Sequence, residues 1–442
     1  MKKFATVLIV TIFAAWVYGE DLDQKLVDAV KANNYSEVRS LLVREANPDA
    51  KDSMGNTALV IAVNNGNEEI ADVLIKSGAY TSESYMRGMS VLMLAINKQM
   101  EETAVRLIKF GADTTAKLSN GLNALMMACE RNLEQVVKEI VLRKQIDVNA
   151  KTVQGVTALS IALKEKNMNI AKILHKAGAK PSNLLESACV SDIKVSEELL
   201  SEGADIEEKD ENGRTPLITA FMLEDYSMAN FLLSKGANID ACDNQGNIPI
   251  LIASMANNGA LLSLCFDNKA DALVQDANGL NPLMFLVFFE NDSLIDSMIN
   301  YNDKTVNCVD NNGVTPLVLA IGKGNKRIIE KLISKGAYIN SKRSRRPLNV
   351  AIEIGNLDAA KLVLDKGARI NAKDINGNTP IITAAGMNND MAVEFLVANK
   401  VKINVRDSLG FTPLDYAKKF SNKKMMAVLN YIENMEESSV KE

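Results

Sequence analysis

The sequence predicts a mainly α-helical solenoid, about 13 stacked helix-turn-helix repeats joined by β-hairpins or loops. Three observations predict it. A segment of about 33 residues opening Gly-x-Thr-Pro/Ala-Leu-x-x-Ala recurs along almost the whole chain. Clear copies start at Gly55, Gly155, Gly213, Gly313, Gly377 and Gly410, weaker ones at Gly88, Gly121, Gly246 and Gly279. Gly-Ala pairs at Gly78, Gly111, Gly178, Gly203, Gly236, Gly336 and Gly367 mark a second regular feature. Between these signals the apolar residues fall at helical spacing, as in Leu59 with Ala62 and Ile70-Ala71 with Leu74-Ile75.

The first twenty residues stand outside the array. Lys2 and Lys3 precede an apolar run from Phe4 to Val17, and Val17-Tyr18-Gly19 offers residues that a signal peptidase reads. This is the three-part pattern of a secretory signal, with cleavage expected near Gly19. An uncleaved membrane anchor is the alternative, although the run is short for a full span. The Lys-Lys start and Asn/Lys-rich usage are in keeping with a bacterial source, the mature chain being periplasmic or secreted.

Each repeat can be read from its residues. Thr caps free backbone N–H groups and Pro suits the first helical position, so Thr-Pro opens the first helix. The small Ala three residues after Leu lets the neighbouring helix come close. A second amphipathic helix follows, and the glycine after it closes the helix in the left-handed conformation. Segments such as Ile370–Gly377 predict a tight hairpin leading to the next repeat.

This pattern resembles the ankyrin repeat over roughly residues 21 to 432, with buried first-helix positions at Leu26, Leu59, Leu92, Leu125, Leu159, Leu185, Leu217, Ile250, Leu283, Leu317, Leu348, Ile381 and Leu414. The first and last repeats are expected to be caps. Two departures stand out. The family's His after Leu is replaced by Val60, Met93, Met126, Ser160, Ile218, Leu251, Met284, Val318 and Ile382, so apolar packing is expected in place of a His network between repeats. The hairpin at Ala179–Leu184 is shortened, either a tolerated deletion or a joint dividing the array near residue 180. The expected organisation is a signal peptide over 1–19, repeats one to five over 20–178, the continuing solenoid over 179–432 and a polar tail over 433–442.

Composition narrows the function. A formal net charge of −5 gives no basic footprint for nucleic acid. Cys129, Cys189, Cys242, Cys265 and Cys308 are odd in number and widely spaced, and read as structural thiols. With a single histidine, His175, expected on a polar outer face, and no nucleophile or phosphate-loop motif, no catalytic, metal or cofactor site is expected. Asn34-Tyr-Ser36 and Asn291-Asp-Ser293 match the glycosylation sequon, relevant to a eukaryotic source only.

The resemblance implies a protein partner bound on a concave face made of hairpin tips and first-helix ends, by a monomer without a small-molecule substrate; membrane contact follows only if the N-terminal segment is uncleaved. At the helix ends most repeats carry polar or small residues, such as Asn64-Asn65 and Glu130-Arg131. Three consecutive repeats differ: Met222-Leu223, Met255-Ala256 and Phe288-Phe289. Stacking would align these six into an apolar stripe, rimmed by hairpin residues including Arg214, Asn247 and Leu280. The stripe is a contact surface or, since Leu286 replaces the small Ala, extra core made by local repacking. Lys342-Arg-Ser-Arg-Arg346 is a basic hairpin, either simply solvated or facing an acidic partner or anionic lipid. The functional readings are a non-catalytic protein-binding scaffold, an inhibitor or protective partner of an exported enzyme, and a membrane-anchored structural protein.

Overall fold

The structure, a computed structural model, describes residues 21–85, 88–143, 145–341, 344–374 and 376–439, the last five of these in backbone only. The expected signal segment 1–19 lies outside the described residues, as do Lys342 and Arg343 of the basic hairpin. Among the described residues are 26 α-helices in consecutive pairs, and no helix is long and apolar enough to cross a membrane. They form two compact units, one ending at Ala204 and one beginning at Asp205. Within each unit, first helices pack on first helices, and close packing of second helices on second helices is found mainly in the unit ending at Ala204.

The local chemistry expected from Thr-Pro is present. In the seven-residue helix Pro216–Met222, Thr215 Oγ1 accepts the N–H of Ile218 at 3.3 Å. Thr157 and Thr315 cap the same way, while Asn123, Asn183 and Asn281 use an amide oxygen instead. The second helix, nine residues in Tyr226–Ser234, closes on Gly236 at φ +94°. There the Ala237 N–H reaches Leu232 O at 3.1 Å and the Gly236 N–H reaches Leu233 O at 3.0 Å, a double bond pattern that satisfies the last carbonyls.

The hairpins are turns rather than strand ladders. Among the described residues, only Ser84–Tyr85 and Met89–Ser90 pair as strands. Elsewhere an Asp carboxylate organises the turn: Asp243 Oδ1 accepts the N–H groups of Gln245 and Asn247, both at 2.9 Å, and Asp210, Asp276, Asp310, Asp374 and Asp407 repeat the arrangement.

The core is layers of Leu, Ile, Val, Ala and Met. Val60, Met93, Met126, Ile218, Leu251, Met284, Val318 and Ile382 are buried, so apolar packing occupies the position where the family has His. Ser160 is half-buried and pairs with Thr157. Asn349 holds the same position in its repeat and does make a bond to the next one, donating to Asn378 O at 3.1 Å.

The connection between helices Met168–Lys176 and Leu184–Val190 is short, as the sequence indicates, and His175 lies beside it rather than on an open outer face. Its Nδ1 is 3.3 Å from Ala179 O and its Nε2 is 3.9 Å from Asp192 Oδ2. The division into compact units falls further on, after Ala204. The repeat preceding it has a polar seam: Ser187 Oγ and Ser196 Oγ are buried 2.6 Å apart. At the other end, helix Lys423–Ser439 continues through most of the segment that reads as a polar tail.

Candidate functional site

The helix-pair geometry fixes which residues reach the surface. In Pro216–Met222 the side chains of Leu217, Ile218, Ala220 and Phe221 are buried. The chain then turns through Glu224 at φ +54° into the second helix, leaving Met222 and Leu223 outside the packed stripe. The next two repeats do the same, with Ser254 and Val287 inside and Met255, Ala256, Phe288 and Phe289 outside. Met222, Leu223, Met255, Phe288 and Phe289 are 42% to 51% exposed. Leu286 is fully buried without drawing the two phenylalanines inward, so local repacking does not cover the stripe.

The row is longer than the sequence reading placed it. Ile354, Met387 and Phe420, at the end of the first helix in later repeats, are exposed to a similar degree. Each lies three residues beyond the buried Ala351, Ala384 or Ala417, as Leu223 does beyond Ala220. Their preceding neighbours Glu353, Gly386 and Lys419 conceal the pattern when apolar pairs are sought. Lys323 interrupts the row, but its ammonium lies 3.8 Å from the Phe288 ring centroid. In the other unit the matching positions are Ala32, Asn65, Lys98, Arg131, Glu165 and Ser191, all polar except the small Ala32; Arg131 donates to Asn97 Oδ1 at 3.0 Å.

The rim residues divide into two groups. Glu211, Asn244, Gln245 and Asn278 are exposed on the turns. Arg214, Asn247 and Leu280 are half-buried and committed to holding the turns together. Asn247 Nδ2 donates to Asp243 Oδ2 at 2.8 Å, Arg214 Nε sits 3.9 Å from the same oxygen, and the Leu280 N–H bonds Asp276 at 2.8 Å. Burial alone would raise the Asp243 carboxyl, but hydrogen bonds from Asn247 and Gln245 and the nearby Arg214 charge hold it below the usual aspartate value. Adjacent turns are also tied laterally, by Asn244 N–H to Asn212 O at 2.9 Å and Asn311 N–H to Asn278 O at 3.1 Å.

A second set of bonds runs beneath the row. Asn291 caps its helix by accepting the N–H of Leu294 at 3.2 Å, while its Nδ2 donates to Asn257 Oδ1 of the preceding repeat at 2.9 Å. Asn258 reaches Glu224, Asn325 reaches Glu290 and Asn422 reaches Asn388 in the same way. Asparagine suits this position because one side chain offers both an acceptor and a donor. The ladder fixes the spacing of the exposed apolar side chains above it.

All five cysteines are free thiols, and burial pushes Cys129 up to about 12. Among the described residues, no group of three His, Cys, Asp or Glu side chains is placed to hold a metal ion.

Comparison with known families agrees with this architecture. The family model for ankyrin repeats in three copies matches residues 26–117, 92–183, 184–276, 250–343, 283–374 and 348–437. The chain belongs to the ankyrin-repeat family, whose repeats generally mediate protein–protein interaction. A search of curated protein sequences finds no significant match.

Proposed function

We propose that the protein is a non-catalytic scaffold that holds a protein partner on the row running from Met222 and Leu223 through Met255, Phe288 and Phe289 to Ile354, Met387 and Phe420. The supporting observation is that exposed apolar side chains recur at the end of the first helix in the unit beginning at Asp205, whereas the other unit is mostly polar there. An exposed apolar row with a polar rim favours a macromolecular contact, and aromatic residues supply the largest contact area. In this reading the chain comprises thirteen repeats, the row lies on the concave face, and the protein acts as a monomer. The leader-like pattern of residues 1–19 supports a location outside the cytoplasm, in the periplasm or secreted.

Affinity capture with the intact mature chain, followed by partner identification, tests the proposal. Met255→Asp with Phe289→Asp is expected to abolish capture while leaving the circular dichroism spectrum unchanged. Retained capture in that folded double variant overturns the assignment of the row. Export is tested separately by N-terminal sequencing of the mature protein, with a start near Glu20 expected.

A further inference from the structure

The apolar row passes a cleft of about 280 Å³ whose wall includes Arg345, Arg346, Asn349, Asp374, Met387 and Tyr416. In this repeat Ser344-Arg345-Arg346-Pro347-Leu348 stands where others have Gly-x-Thr-Pro-Leu. The substitution changes the chemistry of the turn. Arg346 occupies the capping position but makes no cap; its Nε donates to Lys373 O at 2.6 Å and its Nη1 to Asn340 O at 3.2 Å. Arg345 is paired with the Glu353 carboxylate, whereas no carboxylate pairs with Arg346 among the described residues. The half-buried guanidinium is thus held in place by carbonyl oxygens and makes no direct ion pair, although Asp374 and Glu353 line the same cleft.

The polar groups behind it are also incompletely matched. Asn349 is 95% buried, its relative exposure being 5%, and its Nδ2 donates to Asn378 O at 3.1 Å. That bond fixes the amide orientation and leaves Oδ1 without a partner. Thr379 is also buried, and its Oγ1 neither caps the helix Pro380–Gly386 nor finds another partner. Buried polar atoms in folded proteins are nearly always paired, so the orphan acceptor of Asn349, a residue of the cleft wall, points to a ligand that also brings a donor, as a peptide backbone N–H does. Met387 belongs both to the cleft wall and to the exposed row.

We propose that this cleft is a subsite for an acidic residue of the protein partner, its carboxylate pairing with Arg346 and its neighbouring apolar side chain resting on Met387. A guanidinium recognises a carboxylate through two parallel N–H bonds, and here the fork is already oriented by two carbonyls. Its second role is register: the row alone would accept apolar side chains at several offsets, and one fixed charge selects among them. The inference rests on the proposed protein-binding function, because it takes the cleft's occupant to be a segment of the same partner.

The test uses the full mature chain with its methionine methyl groups isotope-labelled, titrated with the capped dipeptide N-acetyl-Glu-Leu-amide. The Met387 methyl resonance is expected to shift saturably, with a dissociation constant in the millimolar range. N-acetyl-Gln-Leu-amide should bind about tenfold more weakly, and Arg346→Gln should weaken the Glu peptide by a similar factor. Equal binding of the two dipeptides, or no Met387 shift up to about 20 mM, overturns the subsite. So does wild-type affinity in a folded Arg346→Gln protein. If that variant does not fold, the comparison of the two dipeptides on the native chain decides the matter. Phe289→Asp separates the two proposals: it should abolish partner capture and leave the dipeptide titration unchanged. Capture that persists in that variant counts against the row without touching the subsite.

Discussion

The ammonium nitrogen of Lys323 lies 3.8 Å from the ring centroid of Phe288, over the ring in a cation–π contact. Phe289 meets Phe288 edge-on, the ring centroids 5.4 Å apart. The lysine at the break in the apolar row is therefore part of the row, covering one phenylalanine while its neighbour remains open. Exposed cation–π contacts contribute about 0.5–1 kcal/mol. Lys323→Met is expected to reduce stability by no more than about that amount and to tighten partner binding several-fold by making the row continuous. Urea unfolding and a partner titration measure the two effects. Weaker binding by a stably folded variant would show that the partner uses the ammonium directly.

The Asn291–Asn257 bond gives a second prediction. Asn291→Ala removes a helix cap and a bond between repeats together, with an expected loss of about 1–3 kcal/mol. Asn291→Asp keeps the capping acceptor but replaces the donor with an oxygen facing Asn257 Oδ1, so its cost should be smaller yet measurable. A double-mutant cycle with Asn257→Ala isolates the pair, and a coupling of about 0.5–1 kcal/mol is expected. Full additivity of the two alanine substitutions would show that the bond contributes nothing across the repeats.

Much of this arrangement is legible in the sequence because it is set by local chemistry. Thr215-Pro216 and Gly236-Ala237 begin and end helices through bonds that span only a few residues. Met255 and Phe288 can be placed on the surface by counting from Ala253 and Leu286. Ile354, Met387 and Phe420 obey the same count but are hidden by polar or small neighbours. Arg214 and Asn247 read as free rim residues, since nothing local shows that Asp243 engages both. The Asn ladder is not legible in the sequence, because its second bond joins residues 34 apart in Asn291 and Asn257. The unpaired Oδ1 of Asn349 depends on three-dimensional placement in the same way.

Acid should weaken the turns. The Asp243 side chain is fully buried, and its hydrogen bonds and Arg214 hold the folded pKa below the ordinary 3.8 despite the opposing effect of burial. Asp52 is shifted in the same direction, with burial again opposed by bonds from Asn56 and Met54. A lowered folded pKa contributes stability that is fully present above the unfolded value and is lost as pH falls through the folded one. The urea midpoint is therefore expected to hold between about pH 7 and 5 with respect to these groups and to fall below about pH 4. Asp243→Asn keeps an acceptor for Gln245 and Asn247 but cannot titrate, so its midpoint should fall less steeply. Parallel acid profiles for the two proteins would remove Asp243 as a contributor.

The buried Ser187–Ser196 pair marks the repeat before the division as less firmly packed. In its second helix, Ile193–Ser201, Ser196 is the fully buried residue, whereas Glu68–Lys76 buries Ile70, Ala71, Leu74 and Ile75. Amide hydrogen exchange should be faster in Ile193–Ser201 than in Glu68–Lys76. Replacing both serines by alanine removes both partners at once and should be near neutral or stabilising. Ser196→Ala alone leaves Ser187 its bond to Asp192 O at 2.7 Å, so it too should cost little. A large loss in the double variant, or equal exchange in the two helices, would contradict the assignment.

Thiol labelling follows packing in each unit. Cys242 is exposed on a turn, and its backbone carbonyl lies 3.4 Å from Lys209 Nζ. Cys308 is half-buried, and burial raises its thiol; Cys129 and Cys265 are fully buried, with burial again raising both. Alkylation requires the thiolate and access to it, and the buried pair lacks both. Iodoacetamide at about pH 8 should therefore modify Cys242 first and Cys308 more slowly, leaving Cys129 and Cys265 intact until their repeats open. Peptide mass spectrometry along a urea series reads this order, with Cys129 reporting on the unit ending at Ala204 and Cys265 on the unit beginning at Asp205. Modification of Cys129 or Cys265 at the rate of Cys242 in native buffer would show that the packed layers open far more readily than their burial implies.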